Sequence, residues 1–310
     1  MRAFVFPGQG SQSVGMGVAL AGASAVAREV FQEVDDAIGQ NLTRLMADGP
    51  DDALTLTENA QPAIMANAVA TLRVLEREGG VRLSDHAAFV AGHSLGEYAA
   101  LCAAGALDLA TTARLLKLRG QAMQSAVPVG VGAMAALLGA TLEQAQAIAD
   151  AAADGEVCAI ANDNATGQVV LSGHRGAIER AVAMARDFGA KKGMLLPVSA
   201  PFHCALMQPA AEAMADALAK ATVLPPVVPV YANVLAAPVT DPGEIRARLV
   251  EQVTGMVRWR ESVLAMAEAG VQQFVELGAK VLAPMVKRTV DAEPLSLVSM
   301  AEIEAFAKAL

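Results

Sequence analysis

An unbroken apolar run, "RAFVF" (2–6), stops abruptly at the glycine-punctuated polar stretch "PGQGSQ" (7–12). A run of that length bounded by turn residues reads as a buried strand entering a loop. Apolar positions then recur at helical spacing over 17–47 and 60–78, and "HAAFVAG" (86–92) reads as the next strand. "GEYAALCAAGAL" leaves it as a helix, followed by a longer helix through "ATTARLLKLRGQAMQSA" (110–126). Strands alternating with helices predict an α/β core around a mostly parallel sheet.

The middle of the chain has a different rhythm. "VGAMAALLGA" (131–140) reads as a strand and "TLEQAQAIADAAA" as a helix with Thr141 at its N-cap. "VCAIAN" and "GQVVLSG" are two strands with "DNAT" (163–166) as the turn between them; "GAIERAVAMARDFG" is a helix and "KKGMLLPV" a last strand. This β-α-β-β-α-β order is the ferredoxin-like pattern. It predicts a small inserted subdomain over 127–196, with 1–126 and 197–310 forming a larger α/β part. Beyond the insertion, helices at 208–221, 242–255 and 260–270 alternate with strands at "VPVYANV", "QQFVELG" and "PLSLVSM", before a terminal helix.

Composition narrows the class. The 310 residues are 54% hydrophobic but 4% aromatic, so the core is aliphatic and methionine-filled. No stretch of 18 apolar residues suggests a membrane span, and the start reads as a strand instead of a signal peptide. Three scattered cysteines (Cys102, Cys158, Cys204) have neither metal-ligand spacing nor the look of a disulfide framework, which makes a reducing cytoplasm the simplest compartment. A net charge of −9 argues against nucleic acid as the main partner. Local basic pairs at Lys191–Lys192 and Lys287–Arg288 are equally well read as solvated surface or as contacts for an acidic partner.

The candidate chemistry lies in "AGHSLGEYAA" (91–100), where Ser94 stands between Gly92 and Gly96. Gly-X-Ser-X-Gly between a strand and a helix is the context of a nucleophile elbow, with the helix start offering N–H groups to an oxyanion. A serine nucleophile needs a base. Of four histidines, His86 sits in a loop, His174 in a turn, and His93 beside the nucleophile, where adjacent side chains diverge and the ring supports the turn. Elimination favours His203 in "VSAPFHC". No acidic residue downstream is an obvious third member: Asp241 in "TDPG" is a weak candidate, and a backbone carbonyl would serve equally.

Six stretches in register, "FVFPGQGSQ", "GHSLGEYAAL", "LLKLRGQAMQ", "GAMAALLG", "CAIANDNATGQVVLSG" and "VSAPFHCALM", resemble the malonyl-CoA:acyl carrier protein transacylases of type II fatty acid synthesis. The resemblance runs from residue 3 to about residue 290, and its fold, an α/β-hydrolase-like core with a ferredoxin-like insertion, agrees with the pattern above. It implies Ser94 as the residue that becomes malonylated, His203 as general base, and the backbone carbonyl of Gln252 as the group orienting that base. It implies backbone N–H groups of Gln9 and Leu95 as the oxyanion hole, and Arg119 as the binder of the malonyl carboxylate. Met123, Met134 and Phe202 match pocket-lining positions, and Asn162 a position near the site. In related polyketide acyltransferase domains a phenylalanine before the histidine goes with malonyl, and a smaller residue with methylmalonyl.

The resemblance further implies a coenzyme A thioester as donor, an acyl carrier protein as acceptor, no resident cofactor or metal, no membrane or nucleic-acid partner, and a chain compatible with a monomer. One departure stands out: Gly278-Ala279-Lys280 is one residue shorter than the family's usual Gly-X-Gly-Lys turn. The rival readings are a serine esterase, which has no use for Arg119, the transacylase subunit of a malonate decarboxylase, a polyketide loading enzyme, and a non-catalytic scaffold.

Overall fold

The computed structural model describes all 310 residues. The chain begins β1 (Arg2–Phe6), α1 (Ala25–Ile38), α2 (Thr57–Arg77), β2 (Phe89–Gly92), α3 (Leu95–Ala103) and α4 (Leu109–Ser125). It continues through β3 (Gly132–Leu138), α5 (Leu142–Ala153), β4 (Cys158–Ala165), β5 (Gln168–His174), α6 (Arg175–Met184) and β6 (Lys192–Leu195). The last part holds α7 (Gln208–Lys220), β7 (Val230–Ala232), β8 (Ala237–Val239), α8 (Pro242–Thr254) and α9 (Trp259–Glu268). It closes with β9 (Gln273–Leu277), α10 (Ala283–Thr289), β10 (Glu293–Leu297) and α11 (Met300–Ala309).

Six strands form the larger sheet in the order β10-β9-β1-β2-β7-β8, parallel except for β8 at the edge. β1 lies between β9 and β2, so its residues pack on both faces: Phe4 and Phe6 on one side, Ala3 and Val5 on the other. Burial on both faces explains why this strand is a continuous apolar run without alternation. The loops after β1 and β2 leave the carboxyl ends of neighbouring parallel strands, the usual place for a site in an open α/β sheet. Behind them α2 is almost wholly buried, and its start points at the same place.

Strands β3 to β6 form a separate antiparallel sheet in the order β4-β5-β3-β6, with α5 and α6 packed over it around Leu137, Ile148, Leu171 and Ile178. This is the ferredoxin-like arrangement that the β-α-β-β-α-β order predicts. Thr141 caps α5 in a reciprocal capping box with Gln144. The small sheet is tied to the larger part through β4: the Asp163 N–H donates to the carbonyl of Val257, just before α9, and the Val257 N–H to the Ala161 carbonyl, at 3.0 and 2.8 Å. Arg260 grips the buried Asp163 carboxylate with Nε and Nη2.

Four local expectations change. The helical pattern over 17–47 is three helices, because Ser24 caps α1 through its side chain and Gly39 ends it in the left-handed region. The strand expected from residue 86 starts at Phe89, since Leu83–His86 make one helical turn. "DNAT" is not the turn: β4 runs through Ala165, and the hairpin closes over Thr166 and Gly167. Asp163 and Asn164 stay inside the strand because Arg260 and His93 satisfy their side chains. β8, too short to leave a pattern, pairs back on β7.

The shortened turn after β9 holds together. Gly278 takes a φ of 79°, its N–H donates to the Leu297 carbonyl, and Lys280 pairs with Glu302. The three cysteines are unpaired, and no helix is long and apolar enough to cross a membrane.

Candidate active site

Ser94 ends the β2 loop at φ 53° and ψ −112°, an unusual conformation for a residue with a side chain. The glycines around it permit the turn by close approach. A Cβ on Gly92 would lie 1.9 Å from the Gly96 backbone, and one on Gly96 2.2 Å from the Phe6 carbonyl oxygen. Two side chains hold the strained residue in place: its N–H donates to Asn233 Oδ1 at 2.7 Å, and its carbonyl accepts from Gln252 Nε2 at 3.0 Å. The elbow sequence is thus a sharp strand-to-helix turn, with Leu95 as the first residue of α3. Its N–H lies outside the helix's own ladder.

His203 Nε2 lies 2.7 Å from Ser94 Oγ, and its Nδ1 lies 2.8 Å from the backbone oxygen of Gln252. The carbonyl can only accept, so Nδ1 carries the proton and Nε2 is free to receive the serine's. Burial, then the nearby Arg119 charge, push the His203 imidazolium down to about 3. The imidazole therefore stands neutral at physiological pH. No carboxylate bonds to it, and Asp241 instead caps α8 through the Glu244 N–H.

His93 is half-buried on the wall of the same pocket, and its Nε2 pairs with Asn164 Oδ1 at 2.7 Å instead of with Ser94. The ring beside the nucleophile thus ties the elbow to the small sheet, in keeping with a supporting role.

Arg119 on α4 reaches the same point and is 1% exposed. Its Nη2 donates to Ser94 Oγ at 3.1 Å and to Gln252 Oε1 at 2.9 Å, and its Nη1 donates to Gln61 Oε1 at 2.7 Å. Its Nε is buried without a partner. A buried cation on the wall of a cavity suits an anionic ligand. That cavity, about 460 Å³, is lined by Gln9, Ser94, Leu95, Arg119, Phe202 and His203, with Met123, Met134 and Asn162 also on its wall. Nine of the ten residues singled out in the sequence line it, and the tenth, Gln252, lies directly behind His203.

Four contributors escape the sequence. The Gln252 side chain bridges Arg119, the Ser94 carbonyl and Glu97, in addition to its backbone contact with His203. Glu97, in the first turn of α3, accepts from Gln252 Nε2 and from the Asn233 N–H; burial raises its carboxyl to about 7. Asn233 and Gln61 come from distant segments. Only Glu97, three residues past the nucleophile, leaves a trace in a motif. No group of His, Cys, Asp and Glu side chains is arranged to hold a metal ion.

Residues 3–303 match the family described as the acyl transferase domain. The chain is 45% identical over 309 residues to the malonyl CoA-acyl carrier protein transacylase of Escherichia coli K12, covering 99% of this chain and 98% of that one. It is 41% identical over 288 residues to the protein of the same name from Bacillus subtilis 168, covering 92% and 89%. Among solved structures, an acyl-carrier-protein S-malonyltransferase from Bartonella henselae is 50% identical with a TM-score of 0.97, over 99% and 98% of the two chains. A malonyl-transacylase in complex with a holo type II polyketide acyl-carrier protein is 39% identical with a TM-score of 0.96, over 100% and 99%.

Proposed function

The chain belongs to the acyl transferase domain family and is an acyltransferase, and on that premise we propose the acyl group, the acceptor and the residues that act. It transfers a malonyl group from malonyl-CoA to the phosphopantetheine thiol of an acyl carrier protein, supplying fatty acid synthesis. The observation that carries this reading is the position of Ser94 Oγ, 2.7 Å from a neutral histidine and 3.1 Å from a buried guanidinium.

In the first half-reaction Ser94 gives its proton to His203 Nε2 as Oγ attacks the thioester carbonyl. The oxyanion is received by the N–H groups of Gln9 and Leu95, the latter at the positive end of α3. Collapse expels the coenzyme A thiolate, which takes the proton back from His203 and leaves malonyl-Ser94. In the second half-reaction the carrier's thiol gives its proton to His203 and attacks the ester, and Ser94 departs with that proton. Arg119 holds the malonyl carboxylate throughout. A neutral acyl group leaves the guanidinium without its anion, which selects against acetyl. Met123, Met134, Asn162 and Phe202 shape the wall around the acyl group.

A carbonyl, not a carboxylate, sits behind the imidazole. The base is correspondingly weak, which favours a good acyl acceptor such as a thiol over water and lets the ester persist between the two halves. We place the larger part at 1–126 and 197–310 and the small one at 127–196. The protein acts in the cytoplasm as a monomer, without a resident cofactor.

Intact-protein mass spectrometry after brief exposure to malonyl-CoA tests the reading. A single malonyl adduct on Ser94, lost when reduced holo carrier protein is added, is expected. No adduct, or one lost to water as fast without the carrier, overturns it. A second reading keeps the chemistry and changes the acceptor to a polyketide carrier, as in the similar complex described above. Rates of discharge to fatty acid and polyketide carriers, measured side by side, separate the two.

A further inference from the structure

Thr57 opens α2, yet its hydroxyl does not cap the helix. It points inward and is fully buried, donating to Gln9 Oε1 at 3.0 Å and accepting from Gln61 Nε2 at 2.9 Å. Gln61 in turn accepts from Arg119 Nη1 at 2.7 Å. The three bonds run in one direction, guanidinium to amide, amide to hydroxyl, hydroxyl to amide. Each donor is polarised by the one before it, starting from a full positive charge. The chain ends on Gln9, in a loop over 7–17 that contains neither helix nor strand.

The start of α2 is held in this position from the other side. A Cβ on Gly120, the neighbour of Arg119, would lie 2.4 Å from Glu58 Cα and 2.7 Å from the Thr57 carbonyl oxygen. α4 and the first turn of α2 are therefore in backbone contact where the relay begins, and the relay has little room to shift.

We propose that Thr57 is a positioning residue that fixes the distance between the carboxylate clamp at Arg119 and the oxyanion hole at Gln9. The inference rests on the malonyl-transfer reading. A malonyl group is held at two points, its carboxylate and its thioester carbonyl, so the two anchors must stand at a set separation. An acetyl group has one anchor and can follow a displaced loop. The relay acts as a ruler that matters most for the dicarboxylic acyl group, because misplacing one anchor strains a substrate already fixed by the other.

Single-turnover acylation by malonyl-CoA and by acetyl-CoA tests this. Thr57→Val keeps the shape and removes the hydroxyl. It should slow malonyl acylation about ten-fold and acetyl acylation about two-fold or less, with the KM for malonyl-CoA little changed. Thr57→Ser should restore the wild-type ratio. In a Gln9→Met background, which keeps the backbone N–H but cuts the relay at its far end, Thr57→Val should add nothing further. Gln9 lies on a partly exposed loop, so the Gln9→Met variant carries the test alone if Thr57→Val does not fold. It should show the same selective loss. Equal losses for both substrates, no rescue by serine, or multiplying effects of the two substitutions would overturn the proposal. Absence of any malonyl adduct on the wild-type protein would instead overturn the functional reading itself.

Discussion

The guanidinium of Arg119 donates to the hydroxyl of Ser94 across 3.1 Å, so the group suited to reading the acyl chain also touches the proposed nucleophile. Removing it has opposite consequences for the two substrates. Arg119→Ala takes the counter-ion from a malonyl carboxylate in a buried site, a loss on the order of 3 kcal/mol or about a hundred-fold in acylation rate. For acetyl-CoA the same change removes an unpaired cation from the cavity. Acetyl acylation should hold steady or rise. Parallel kinetics with the two thioesters check this, and equal losses would contradict the clamp.

His203 is pushed down to about 3, first by burial and then by the Arg119 charge. An ordinary imidazole would be protonated well before pH 5 and could not accept the Ser94 proton. Acylation by malonyl-CoA should therefore change by less than about two-fold between pH 8 and pH 5. In Arg119→Ala the second-largest of the depressing influences is gone, and the acid limb of acetyl acylation should move to higher pH. Stopped-flow rates across that range check both. A wild-type limb near pH 6.5 would mean that the imidazole titrates normally.

The sequence carries the site where chemistry is local and loses it where the contacts are distant. The elbow is written in five consecutive residues because Gly92 and Gly96 each face backbone that admits no Cβ. His203 emerges by elimination among four histidines. The backbone of Gln252 leaves no signature, since any residue has a carbonyl, and its assignment comes from resemblance alone. Asn233 and Gln61 matter through side chains that arrive from other segments, and "YANV" and "QPAI" say nothing of that. The same division holds for the fold. Fully buried β1 is legible as an apolar run, whereas "DNAT" misleads because Asp163 and Asn164 are paired across the subdomain boundary.

Glu97 is buried between Gln252 and Asn233, with Arg119 and the protonated Tyr98 facing it, and burial raises its carboxyl from 4.5 to about 7. The folded state therefore holds a proton that the unfolded chain has released between those two values. Stability from this group is complete below pH 4.5 and is lost as pH rises through 7. Glu97→Gln keeps the shape and does not titrate. Its melting temperature relative to wild type should rise steadily from pH 5 to pH 8, by a free-energy difference on the order of 2 kcal/mol. A difference that stays constant with pH would show that Glu97 does not titrate in this window.

Asp163 and Arg260 join the small sheet to α9 of the larger part, with side chains 1% and 27% exposed. The asymmetry sets the order of the two truncations. Arg260→Ala strands a buried carboxylate and should destabilise by about 3 kcal/mol. Asp163→Asn leaves a cation that water can reach, next to an amide that still accepts one hydrogen bond, and should cost about half as much. Urea unfolding of the two variants checks the order, and a reversed order would mean that the carboxylate is solvated.

Phe202 precedes His203 and lines the cavity with Ser94, Met123 and Met134, the residue 8% exposed. In the proposed mode of binding, with Arg119 at one end of the acyl group and Ser94 at the other, a C2 methyl has to share that space. Phe202→Ser removes the ring and should raise the rate of Ser94 acylation by methylmalonyl-CoA about ten-fold, the scale on which hydrophobic pockets discriminate one methyl group. Malonyl-CoA, which gains nothing from the extra space and loses a packed wall, should react a few-fold more slowly. Losing a large ring from a core costs about 3 kcal/mol or more, but this ring borders an open cavity that water can fill, so a folded variant is expected. Competition between the two thioesters, read as adduct masses on Ser94, measures the ratio directly. If the variant still refuses methylmalonyl while taking malonyl, another wall of the cavity sets the choice, with Met123 and Met134 the next positions to change.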